Sequence, residues 1–94
     1  MEPIDFGSLP GGEMIRQGLE DLAARQDSKA ALLVLIGAPR LRRLGLDIPE
    51  RDASLAEHEL YQLFARSNPD SAHSRYNALI RRLVSFERAL ECVA

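Results

Sequence analysis

A single cysteine, Cys92, leaves the chain without an intrachain disulfide and without a multi-cysteine metal site. No cue for a lowered thiol pKa accompanies it, so it reads as inert. Histidine is equally scarce. His58 and His73 stand on different predicted helices, with no carboxylate or cysteine at ligand spacing. A zinc site needs about four ligands in tetrahedral reach, and no such set is present. There is no Gly-rich phosphate loop, no Gly-x-Ser-x-Gly and no Cys/His pair. The expectation is a protein that is not an enzyme, with no catalytic, cofactor-binding or metal-binding residue.

Long apolar runs are missing too. The longest, Ala30 to Ile36, falls far short of the roughly 20 residues that span a bilayer. The opening MEPIDFGSLPGG is acidic and lacks an apolar core, unlike a signal peptide. A cytoplasmic protein without a membrane partner is expected. Lysine is nearly absent: one stands beside 11 arginines, a skew read first as codon usage. The net charge is −2 and the pI about 5.6, so no bulk basic character draws the chain to nucleic acid.

What is present is helix. Ninety-four residues make one domain, and a chain this short buries only about 60–65% of its unfolded surface, so a partner chain would help it. Residues 1–12, with Pro3, Gly7, Pro10, Gly11 and Gly12, read as an irregular lead-in pinned by Ile4, Phe6 and Leu9. Residues 13–94 form the single helical domain. Its first helix covers Glu13 to Gln26, with Ile15, Leu19 and Leu22 on one face. Gly18 and Ala23 beside them allow a close helix approach.

Asp27 or Ser28 caps a second helix, KAALLVLIG, which Gly37 closes. It is apolar nearly all round and is therefore the central helix. A buried strand is the rival reading, but no second strand exists to pair with it. Pro39 opens a separate helical turn, Arg40 to Leu44, stopped by Gly45. Leu41, Leu44, Leu46 and Ile48 tuck beneath the bundle while Arg40, Arg42 and Arg43 stay in water, free to meet an anion. Ser54 and Glu57 fit a capping box for a third helix running to about Arg66 and burying Ala56, Leu60, Leu63 and Phe64.

Asn68 as N-cap and Pro69 at the first helical position open the last and longest helix. Tyr76, Leu79, Leu83, Phe86, Leu90 and Val93 follow at spacings of 3, 4, 3, 4 and 3, one face of an α-helix. Ile80 and Val84 widen that stripe. Labelled as a heptad, Tyr76, Leu83 and Leu90 are a positions and Leu79, Phe86 and Val93 d positions. Arg82 is then g and Glu87 the following e, as in a parallel coiled coil.

The predicted fold is all-α: a compact bundle of four main helices plus a short helical turn, ending in a long amphipathic helix. The predicted role is a small protein–protein interaction module or bacterial-type regulator. It binds itself as a homodimer, or another helical protein, through Tyr76, Leu79, Ile80, Leu83, Val84, Phe86 and Leu90. The alternative is a helix-turn-helix DNA-binding regulator spanning residues 54–82. Ser74, Arg75 and Asn77 would meet the bases, and Arg81 and Arg82 the phosphates. Against it stand the acidic balance, a turn without the usual glycine and an over-long second helix.

Overall fold

Four α-helices form the bundle: α1 (Gly12–Ala23), α2 (Lys29–Arg43), α3 (Ala56–Ser67) and α4 (Ala72–Val93). Two short 3-10 turns, Phe6–Ser8 and Pro69–Ser71, precede α1 and α4. The computed structural model describes residues 5–93, and among them there is no strand. The expected pinning by Ile4 lies outside the described residues. Phe6 does anchor the lead-in, its ring stacked on that of Phe86 at 5.9 Å.

The centre of the bundle is α2, as its apolar circumference requires. Ala31 to Leu35, Gly37, Ala38 and Leu41 are all buried, and the helix packs against α1, α3 and α4. Its start is capped by Ser28, whose Oγ accepts from the Ala31 amide at 3.0 Å. On one side α1 comes very close. A Cβ on Gly18 would lie 2.4 Å from the Ala30 carbonyl oxygen and 2.5 Å from Val34 Cγ2. Ala23, the other small residue expected to serve this approach, is exposed. The helix ends there rather than at Gln26, and Arg25 takes a left-handed φ of 58° just beyond.

The break expected at Gly37 does not occur. The segment is one continuous helix through Gly37 and Pro39 to Arg43, so the separate turn at Arg40–Leu44 is its last turn. Packing overrides the local signals: Gly37 takes Leu83 against its backbone, and Ala38 and Leu41 are buried, while Pro39 faces outward. The true stop is Gly45, with φ 105°. The Leu46 amide donates to the Leu41 carbonyl, and the Gly45 amide to that of Arg42. These bonds define a Schellman motif, with buried Leu41 and Leu46 as its apolar pair. Ile48 is buried with them, and the Arg42 guanidinium ties the following loop by donating to the Ile48 and Pro49 carbonyls.

The capping box at Ser54 and Glu57 does not form. The N-cap of α3 is Leu55, which has no side-chain cap. Instead Asp52 Oδ1 accepts from the Ser54 amide at 3.0 Å, and this bond holds the Asp52 carboxyl below its ordinary pKa. The side chain that organises the turn thus lies two residues earlier than the sequence signature places it. At the other end Lys29 sits over the Phe64 ring, 4.6 Å from its centre, while Leu35 and Pro39 lie beside Ser54 and Glu57. Helices α2 and α3 therefore run antiparallel. Asn68 caps the 3-10 turn Pro69–Ser71, its Oδ1 accepting from the Asp70 amide at 3.1 Å, and α4 itself opens at Ala72 rather than at Pro69.

Candidate functional site

The apolar stripe of α4 divides along its length. In the C-terminal half, Leu83 (4% exposed), Phe86 (0%) and Leu90 (2%) are core residues of this chain. The contacts of α2 on α4 run from Gly37 at Leu83 to Arg40 at Glu87 and Glu91. In the N-terminal half the neighbour is α3, met by Tyr76 edge-on to Tyr61 at 5.8 Å. There Tyr76, Leu79 and Ile80 are only half-buried, as is Val84. Their helical phase lies within about 60° of Leu83, except Val84 at about 100°. They point at the bundle axis, but the bundle covers them incompletely. Val93, the last of the stripe, is 69% exposed.

Burial shapes the polar chemistry nearby. The Tyr76 phenol is raised above its ordinary pKa by desolvation and, second, by the Glu57 charge. Glu87 is 5% exposed, a buried carboxylate whose nearest cation is Arg40 at 3.9 Å. Desolvation lifts its pKa and Arg40 opposes the lift. Arg40 also holds Glu91 at 2.9 Å. Glu87 is thereby turned inward, away from the e position and Arg82 partner of a parallel coiled coil.

The residues of the DNA-binding alternative occupy mixed positions. Ser74, Arg75, Arg81 and Arg82 are exposed, whereas Asn77 is half-buried with its amide 3.1 Å from His73 Nε2. Arg88, which the spacing also places off the apolar stripe, joins the arginines on the outer side of α4. Arg81 and Arg82 border an open groove of about 510 Å³ with Leu9, the Pro10–Gly12 turn, Met14 and Ser85. Glu13 lines it too and is held by Arg16. Elsewhere Arg40 pairs with acids as above, while Arg42 and Arg43 are exposed. Among the described residues, no three His, Cys, Asp or Glu side chains gather as a metal site.

Fold and surface together define a small all-helical bundle, none of whose described helices is long and apolar enough to cross a membrane. Compared with protein-family models, with curated proteins and with solved structures, the chain matches none.

Proposed function

We propose that the protein is a non-catalytic, cytosolic protein–protein interaction module and small regulator that forms a homodimer through the N-terminal half of α4. The supporting observation is the half-buried row of Tyr76, Leu79 and Ile80, in line with side chains that are fully buried one to two turns later, with half-buried Val84 on its flank beside Leu83. Contiguous apolar surface left uncovered on a small bundle favours an interface. Another helical protein offering the same kind of face is the variant of this reading. Leu83, Phe86 and Leu90 serve the fold of the single chain, and the contact surface is the subset around them.

The test is Val84→Glu. In a two-fold dimer one substitution acts on both copies, and unpaired buried carboxylates are costly. The expected result is a helical monomer, with far-UV circular dichroism retained and half the wild-type mass by light scattering. An undiminished mass in the folded variant contradicts the reading. If the variant unfolds, concentration-dependent melting of the wild type decides, since only a dimer melts higher at higher concentration.

The helix-turn-helix reading stands second. It is supported by the exposure of Ser74, Arg75, Arg81 and Arg82 on the helix that follows the short connection from α3. The Asn77 amide would have to leave His73 to read a base.

A further inference from the structure

The outer side of α4 is uniformly basic. Arg75, Arg81, Arg82 and Arg88 are all exposed, and among the described residues none makes an ion pair with a carboxylate. The helix has two acids, Glu87 and Glu91, and Arg40 takes both. The arginines form two rows. Arg75 and Arg82 are seven residues apart, as are Arg81 and Arg88, so each row repeats every two turns, about 10.5 Å. Ser74, Ala78 and Ser85 occupy the strip between the rows, and all are exposed and small. The strip between the rows faces away from Leu83, while Arg75 and Arg82 lie about 80–100° from Leu83 and Val84 lies within about 60° of Arg81 and Arg88, so the basic face adjoins the apolar row at its edges.

We propose that this face binds the phosphodiester backbone of a nucleic acid, with Arg75, Arg81, Arg82 and Arg88 as the phosphate contacts. Two features favour phosphates over an acidic protein. A protein interface is centred on apolar or aromatic anchors with charges at its rim, and the strip has no such anchor. Small side chains between two charged rows let a backbone approach the helix closely. The mode differs from base reading by a recognition helix: it uses Arg88, makes no use of Asn77 and is tolerant of sequence. The chain's acidic total keeps the attraction local to this face.

The experiment is fluorescence anisotropy with the full chain and a labelled mixed-sequence DNA duplex of about 20 base pairs, run beside a single-stranded RNA and poly-glutamate. Four phosphate contacts on the duplex predict a log–log salt slope of about −3.6, or a loss of roughly a hundredfold between about 50 and 200 mM salt. Arg75→Gln, Arg81→Gln and Arg88→Gln together should reduce the slope by about three. The same charge change at Arg25, Arg43 and Arg66, exposed arginines elsewhere, should leave the slope in place. Circular dichroism confirms that both triple variants are folded. Relative binding of duplex and RNA tells which nucleic acid the face prefers, and either one supports the proposal. It is overturned by absence of binding to both at the lower salt, by equal loss in the two triple variants, or by tighter binding of poly-glutamate.

Discussion

At Gly18 the backbone of α1 sits so close to α2 that a methyl group meets the Ala30 carbonyl oxygen. That oxygen belongs to a helix backbone and cannot swing aside. Gly18→Ala gains about 1 kcal/mol of helix propensity but incurs overpacking of about 1–3 kcal/mol. The helices must separate, so a net loss of up to about 2 kcal/mol is expected in urea unfolding. Unchanged or increased stability would show that the approach is looser than the geometry states. Glu87 makes a different demand. Its folded pKa is raised, so between the unfolded and folded values the folded state holds the extra proton. Stability from this group is then lost as pH rises through that window and regained as pH falls. Relative to Glu87→Gln, the wild type should become more stable as pH drops from neutral into the upper carboxylate range. A stability difference that is flat with pH, or that runs the other way, contradicts the assignment. Sequence alone signals the small residue at 18 but not Glu87, because a carboxylate on a helix is usually solvated and only the position of Arg40 shows otherwise.

The elements follow from their apolar periods, and the boundaries follow from packing. The central place of α2 is legible in its run of apolar residues, and the turn that leads into α4 in Asn68 and Pro69. The continuation of α2 past Gly37 is not legible, because a glycine and a proline in three residues are the local signal to stop. Leu83 packed on Gly37 and the burial of Ala38 and Leu41 reverse that signal. The proline still removes one backbone bond from the helix. Replacing it in Pro39→Ala restores the donor, with an expected gain of about 2 kcal/mol once the looser unfolded chain is counted. Calorimetry checks this, and a lowered melting temperature would mean that the ring itself stabilises the turn. The missed capping box at Ser54 has the same origin: the motif matches locally, but Asp52 reaches the amide that orders the turn.

Across the whole molecule, the described chain extends 43 × 23 × 19 Å, and α4 alone accounts for about 33 Å of helix against about 18 Å for α3. One long helix on shorter neighbours leaves part of its apolar face short of cover. The stripe itself is plain in the sequence. How it divides into a buried C-terminal half and a half-covered N-terminal half depends on where α2 and α3 meet it, which no periodicity reports. The unpaired arginines are visible as residues but not as a face, since their isolation depends on Arg40 pairing with buried Glu87 and exposed Glu91. The measurement that bears most directly on the account is the mass of the wild-type chain by sedimentation equilibrium from low-micromolar to near-millimolar concentration. A homodimer through the N-terminal half of α4 predicts a rise from the 10.5 kDa of one chain toward twice that value. A mass that stays at 10.5 kDa throughout contradicts it, and Tyr76, Leu79, Ile80 and Val84 are then simply the thin edge of a monomer's core.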